Sequence, residues 1–480
     1  MTSSPPSGSA ARELLLAAAA APARARGRSL QAALREAVRS GRLAPDTRLP
    51  SSRDLAADLG VSRGLVTETY EQLTAEGYLR SGRGAGTWVS GAVRAARPRA
   101  RDLAPRAQGV RVGFVPGTPD LSLFPRAAWA AAQRGVLTEL PHEDLGYPDP
   151  RGLPRLRTAL AGLLTRRRGV VADPELLVIV SGVTQATTLL GHVLHARGVT
   201  AVGVEDPGSP HLDSLYPTTG VRVVPLPMDD EGLALGPLRS SSDVRALLTT
   251  PSHQFPTGIA YSARRRAELL DWARSVDGLI LEDDYDGDFR YDRAPVGALQ
   301  GLDPERVAYA GSVSKSLAPG LRLGWLLVPQ ALAKDVVERK RTMDLGHPTL
   351  DQAMFARFLE RGDYDRQLRR CRQAYQERRD ALVTALAEHF PGTRVTGISA
   401  GLHVIATLPE GYGPEERFVA RVGAAGVAVR PVSAYRHGDA TAPEGDPTVR
   451  LVLGYAHLPP SRIREGVRLM AEAAGSHAVA

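Results

Sequence analysis

Tyr309-Ala310-Gly311-Ser312-Val313-Ser314-Lys315-Ser316-Leu317-Ala318-Pro319-Gly320-Leu321-Arg322-Leu323-Gly324-Trp325 is the run that decides how most of this chain is read. Small residues surround a lysine, two hydroxyls stand just before it, and an arginine follows seven positions later. The chain has three lysines, Lys315, Lys334 and Lys340, among 60 basic residues. Arginine keeps its proton near neutral pH, whereas a desolvated lysine can lose it and attack a carbonyl to form a Schiff base. Ser312, Ser314 and Arg322 supply two hydroxyl donors and a fork-shaped cation, a set that suits a phosphate. A glycine-rich turn carrying a surface lysine is the alternative that this run leaves open.

At 480 residues a single core is not expected, and two or more domains are. Hydrophobic residues at 43% and charged residues at 23% describe an ordinary globular chain. The one cysteine, Cys371, excludes an internal disulfide framework and fits a reducing compartment. The alanine-rich run from Glu13 to Ala21 falls short of the ~20 residues that span a bilayer. Arg24, Arg26 and Arg28 follow it rather than precede it, unlike a signal peptide. Residues 1–27 are therefore expected to be a disordered start with a short helix, and the protein to be cytoplasmic with no membrane contact.

The placement of charge says more than the total of +8. Residues 1–111 hold 18 arginines against nine acids, leaving 42 basic and 43 acidic residues in the rest. A basic module on a nearly neutral body implies a polyanionic partner for that module alone.

Within residues 28–90, Leu30, Leu34, Ala37 and Val38 follow helical spacing, and Gly41 stops that helix. Arg42 to Pro50 reads as a turn-rich connector. Ser51 or Ser52 then caps a helix carrying Leu55, Ala56 and Leu59, and Gly60 ends it. Ser62 caps the next helix, which runs through Leu65, Val66, Tyr70 and Leu73 to Gly77. Two short helices about a glycine turn are the helix-turn-helix arrangement. Residues 78–89 read as two strands around a glycine-rich tip, the wing.

Written whole, LPSSRDLAADLGVSRGLVTETYEQLTAEGYL resembles the winged-helix domain of GntR-type regulators. That resemblance implies binding of double-stranded DNA by a homodimer. Arg53 and Arg63, at helix N-termini, are the first candidates for phosphate or groove contacts, with Ser62, Thr67 and Arg83 after them. Residues 91–111, rich in alanine, proline and arginine, read as an exposed linker.

From 112 to 480, short β-rich runs alternate with helical ones: Leu177–Val180, helix 185–196, Val202–Val204, Arg222–Val224, Arg245–Thr249, helix 263–274 and Leu279–Leu281. Such alternation predicts a mainly parallel sheet covered on both faces, with ligands at the carboxyl ends of strands. After the first strand, Ser181-Gly182-Val183-Thr184-Gln185 opens a helix whose free N–H groups can hold a phosphate. After the last, Glu282-Asp283-Asp284-Tyr285 offers a carboxylate for a protonated pyridine nitrogen and a tyrosine for a phenolic oxygen. A helix cap is the plainer reading of that acidic cluster. A metal is not expected, since no histidine or cysteine stands near it.

Together with the lysine run, these residues resemble the fold-type I aminotransferases that use pyridoxal phosphate. Pro251-Ser252-His253-Gln254-Phe255-Pro256-Thr257-Gly258 stands where many of them carry Asn-Pro-Thr-Gly. That variant, with Leu145 to Leu153 upstream, resembles the MocR subfamily of GntR regulators, in which a winged helix is fused to an aminotransferase-like domain. The implied fold is an N-terminal winged helix-turn-helix followed by an α/β domain with a smaller C-terminal subdomain.

By that resemblance Lys315 forms the Schiff base with pyridoxal phosphate, Asp283 partners the pyridine nitrogen and Tyr285 the phenolic oxygen. Gly182, Val183, Ser312, Ser314 and Arg322 hold the phosphate, joined by Tyr147 of the partner subunit. Arg450, with Arg430 as second choice, grips an effector's carboxylate. The family's ring-stacking aromatic is replaced by Ser209, and the arginine of γ-aminobutyrate sensors by His211. Stacking must then come from elsewhere, His211 included, and γ-aminobutyrate is not the expected effector. The implied function is a pyridoxal-phosphate-dependent regulator, with control of the cofactor's own biosynthesis as its role. The alternatives are an active aminotransferase with an accessory DNA-binding domain and a cofactor-free scaffold.

Overall fold

The computed structural model describes residues 20–82, 86–92, 109–291, 296–397, 400–438 and 448–475. Arg83, most of the 1–27 segment and most of the 91–111 linker lie outside the described residues. The chain divides into two compact units, Met1–Arg106 and Ala107–Ala480.

The first unit runs α1 (Arg26–Arg39), β1 (Arg48–Leu49), α2 (Ser52–Leu59), α3 (Arg63–Ala75), β2 (Leu79–Gly82) and β3 (Gly86–Val89). Ser51 caps α2, accepting from the Asp54 N–H at 3.2 Å and donating to the Asp54 carboxylate at 2.7 Å. Gly60 ends α2 at a φ of 63°, a left-handed value that a side chain resists. Ser62 caps α3 through the Leu65 N–H at 3.3 Å. Leu30 and Leu34 of α1, Leu55 and Leu59 of α2, Val66 and Leu73 of α3, and Leu79 and Val89 of the wing bury one core.

Part of the connector is a strand. Arg48 pairs with Trp88 and Leu49 with Thr87, so the wing has three strands in the order β1-β3-β2. Two residues carry no readable period, and the pairing partner lies some forty residues away. Sequence pattern could not reveal it.

In the second unit the main sheet comprises β4 (Leu177–Val180), β5 (Ala201–Asp206), β6 (Arg222–Asp229), β7 (Gly232–Leu233), β8 (Val244–Thr249), β9 (Leu279–Asp283), β10 (Val307–Ser312) and β11 (Gly324–Leu327). Their order is β4-β11-β10-β9-β8-β5-β6-β7, and only β11 and β7 run against the rest. Strand β4 shows how both faces are covered. Val178 and Val180 pack on Leu189 and Leu190 of helix α4 (Val183–Ala196), while Leu177 and Ile179 join Leu160 and Leu164 on the other face. A smaller antiparallel sheet, β12 (Arg394–Thr396), β13 (His403–Thr407), β14 (Arg430–Pro431) and β15 (Arg450–Gly454), in the order β12-β13-β15-β14, forms the C-terminal subdomain.

The two cores make one prediction local. Leu34 is fully buried, so Leu34→Ala should cost the first unit about 2–5 kcal/mol. Hydrogen exchange should report it as lost protection in α1, with protection in β9 unchanged.

Candidate functional site

Three neighbouring strands of the main sheet bring the phosphate-binding candidates together. In the order β4-β11-β10, Val180, Gly324 and Ser312 stand side by side in register. The turn after β4, the start of β11 and the end of β10 therefore meet at one edge. Gly324 makes this possible, because a Cβ there would come within 2.8 Å of the Gly311 carbonyl and 2.9 Å of the Gly182 Cα. Gly182 begins α4 at a φ of 100°, and the Arg322 guanidinium lies over it, donating to the Ser181 carbonyl. Val183 is the first helical residue, so the helix N-terminus faces the same corner. The Ser314 N–H reaches Ser312 Oγ at 3.4 Å, which folds the lysine run back on itself.

A cavity of about 240 Å³ opens beside this corner, lined by Val183, Asp283, Tyr285 and Lys315 together with Ser209, His211 and Phe255. Lys315 donates from Nζ to the Gly117 carbonyl at 2.5 Å. Desolvation pulls its pKa below the usual lysine range, opposed by Asp286 and Asp283. The other lysines are differently placed. Lys334 is exposed. Lys340 is fully buried but bonds both oxygens of Asp344, at 2.8 and 2.7 Å. Of the three, Lys315 is the amine that burial makes available as a nucleophile while its head lines a cavity.

Asp283 ends β9, level with Ala310 on β10. Its Oδ1 is buried with no hydrogen-bond partner among the described residues. Burial, helped by Asp284, pushes its pKa up to about 8, with Lys315 acting the other way. An unpartnered buried carboxyl group is costly, and a protonated ring nitrogen would satisfy it.

Its neighbour Asp284 is differently employed. It turns to Arg168, with contacts of 2.6 and 3.1 Å, and accepts from the Tyr309 hydroxyl at 2.5 Å. Arg168 also donates to Ser252 Oγ at 2.9 Å and to the Gly287 carbonyl at 3.2 Å. The pair thus fastens the turn after β9 to the 250–258 loop.

The remaining candidates are dispersed. Arg450 opens β15, its backbone N–H donating to Glu415 at 3.3 Å. Arg430 lies on the adjoining β14 and bonds the Tyr435 hydroxyl. Tyr147 is 90% exposed and lines a separate cleft of about 750 Å³ with Leu137, Leu145 and Leu345. Arg53 and Arg63 are exposed in the first turns of α2 and α3. Ser62 Oγ is engaged in capping, and Thr67 is half-buried.

Three features were not read from the sequence: the Gly117 carbonyl, Glu205 and His253. Glu205 is buried and accepts from Thr250 N, Thr250 Oγ1, Gln254 Nε2 and Tyr261 Oη, at 2.8, 2.6, 3.1 and 2.5 Å. It locks the end of β5 to the 250–261 segment. Gly117 lies some two hundred residues from Lys315, a distance no local pattern bridges. His253 does stand in the noted variant segment, and that departure was the available signal.

Removing the guanidinium of Arg168 should be severe. Arg168→Met would strand the Asp284 carboxylate and is expected to cost about 3–5 kcal/mol, read as a lower melting temperature with the DNA-binding unit still folded.

Comparison with known proteins agrees with both units. Residues 112–468 match the aminotransferase class I and II family, and residues 27–89 match the bacterial regulatory proteins of the gntR family. The chain is 34% identical to the probable rhizopine catabolism regulatory protein MocR of Rhizobium meliloti, covering 93% of each. It is 32% identical to the pyridoxine biosynthesis transcriptional regulator PdxR of Corynebacterium glutamicum, over 84% of this chain and 87% of that one. Among solved structures, a multiple substrate aminotransferase from Thermococcus profundus aligns at 29% identity with a TM-score of 0.67, over 77% of this chain and 92% of its own. A DNA-binding unit and an aminotransferase-like unit in one chain, matched along nearly its full length by such regulators, place this protein in the MocR-type branch of the GntR family of transcriptional regulators.

Proposed function

We propose that this regulator binds pyridoxal phosphate on Lys315 and that occupancy of the cavity changes how a homodimer holds its operator. The observation that carries the reading is the pairing, in one cavity, of a desolvated lysine with a carboxyl group whose buried Oδ1 has no hydrogen-bond partner among the described residues. The residues present fit the cofactor. Asp283 would hold the ring nitrogen and Tyr285 the phenolic oxygen. Gly182, Val183, Ser312, Ser314 and Arg322 would hold the phosphate. When bound, the cofactor supplies an aldehyde for an amine and an electron-withdrawing ring.

Burial raises the Asp283 pKa to about 8, so this carboxyl group by itself keeps its proton at neutral pH. Asp283 would hold a basic ring nitrogen through that proton, each group offsetting part of the other's desolvation cost. Burial shifts Lys315 toward its neutral form, which a Schiff base requires.

Control of the cofactor's own biosynthesis is the biological role we favour. The relative from Corynebacterium glutamicum bears that function in its name. At the wall of the cavity, Ser209 bonds His211 at 2.7 Å, and burial together with His437 holds the His211 pKa below the usual imidazole range. An uncharged imidazole is a poor clamp for a second carboxylate, which disfavours γ-aminobutyrate. Phe255 and His211 are the flat groups available to the ring. Arg450 and Arg430 remain our candidates for an effector carboxylate.

The homodimer rests on the cleft around Tyr147, where Leu137, Leu145, Leu345 and Leu350 are also exposed. A second copy would cover this apolar patch and place Tyr147 at its partner's phosphate corner. No described helix is long and apolar enough to cross a membrane, and a DNA target puts the protein in the cytoplasm. An active aminotransferase is the second reading, favoured by the intact set of Lys315, Asp283 and Arg322. Turnover of an amino donor and a keto acid by the loaded protein would support it over sensing.

Lys315 gives the direct test. Borohydride reduction of the loaded wild type should fix the cofactor's mass on Lys315, and Lys315→Ala should abolish both that adduct and the effect of pyridoxal phosphate on DNA binding. Label found on Lys334 or Lys340 would overturn the assignment.

DNA affinity should fall with salt by a slope of about −0.9 per phosphate contacted. Arg53→Ala or Arg63→Ala should each flatten that slope by about one, leaving cofactor loading untouched. A salt-independent affinity would contradict the DNA role of α2 and α3.

A further inference from the structure

His253, Asp286 and Tyr285 form a three-membered polar cluster at the wall of the cavity. His253 Nδ1 lies 2.9 Å from Asp286 Oδ2 and 3.0 Å from the Tyr285 hydroxyl. Asp286 also acts on this hydroxyl, raising its pKa. The histidine and the aspartate side chains are 3% and 1% exposed, whereas Tyr285 lines the cavity. The backbone is shaped around the pair. A Cβ on Gly401 would lie 2.6 Å from both Asp286 Oδ2 and His253 Nδ1, at a φ of 80° that itself favours glycine.

A carboxylate only accepts, so the short contact to Asp286 assigns the proton to Nδ1 of His253. That N–H also faces the phenolic oxygen. Tyr285 then has two choices for its own proton: Asp286, or an acceptor inside the cavity. Burial and Asp286 raise the Tyr285 pKa well above the usual phenol range, so the group remains a donor. Asp286, Asp283 and Glu205 are the titratable groups that face it. His403, whose ring centre lies 5.3 Å from that of His253, is held neutral by burial, with a pKa near 3.

We propose that Asp286 and His253 act as a positioning pair for Tyr285: Asp286 fixes the Nδ1–H tautomer of His253, and that N–H satisfies the phenolic oxygen, so that the phenol's proton is directed into the cavity. The proposal rests on the cofactor reading, since the acceptor in the cavity would be the phenolic oxygen of pyridoxal phosphate. The pair touches the cofactor only through Tyr285.

Two measurements test it. In cofactor-free protein labelled with ¹⁵N-histidine, the resonances lost in His253→Phe should report the Nδ1-protonated tautomer in the wild type. An Nε2-protonated ring would overturn the proposal. In loaded protein, His253→Phe should raise the pH midpoint of the lysine-bound absorption band by about one unit, a tenfold change in the proton equilibrium. The same change made in Tyr285→Phe should move the midpoint by less than a third as much. Equal shifts in the two backgrounds, or no shift in either, would overturn it. Should no lysine-bound band form in the wild type, the cofactor reading fails, and the tautomer still decides the pair.

Discussion

The structure depends on keeping an amine and a carboxyl group out of water at the ends of adjoining strands. Asp283 ends β9, and Lys315 follows β10 by three residues. Desolvation pushes both toward their uncharged forms, the lysine downward and the aspartic acid upward. Their mutual attraction opposes this without cancelling it. A site in that condition is poised to react with or bind a ligand carrying a carbonyl and a basic ring nitrogen. Asp286 also opposes the shift of Lys315, while two nearby cations are committed elsewhere. Arg168 is committed to Asp284, and Lys340 to Asp344.

Sheet order converts this local chemistry into a site. The reversed strand β11 lies between β4 and β10, so the turn after β4 comes to the lysine run across one glycine, Gly324. A larger residue there would meet both the Gly311 carbonyl and Gly182. Arg322, reached by a left-handed turn at a φ of 49°, then closes over the start of α4. The corner therefore joins a helix N-terminus, a guanidinium and Ser312, drawn from segments more than a hundred residues apart.

What could be read from sequence followed from local rules. Capping serines, glycine stops and the 3.6-residue period of α2 and α3 are set within a few residues, as were the strand and helix alternation and the lysine run. Strand β1 escaped because its partner Trp88 is distant and the strand is only two residues long. The Gly117 carbonyl and Glu205 escaped for the same reason, since their bonds join parts of the chain that only the fold brings together. Tyr147 was expected at the site through a partner subunit, and within one chain it lies on a separate exposed cleft.

The rarity of lysine sharpens the chemical argument. A chain that fills nearly every cationic position with arginine has few groups able to give up a proton near neutral pH. Among its three lysines, exposure leaves Lys334 solvated, and a bidentate contact with Asp344 neutralises Lys340 inside the protein. Lys315 has a carbonyl oxygen as its hydrogen-bond acceptor, which stabilises an ammonium less than a carboxylate would. On the proposed function, anchoring chemistry would be confined to one position by composition and burial together, and Arg322 would bind phosphate without competing for the aldehyde.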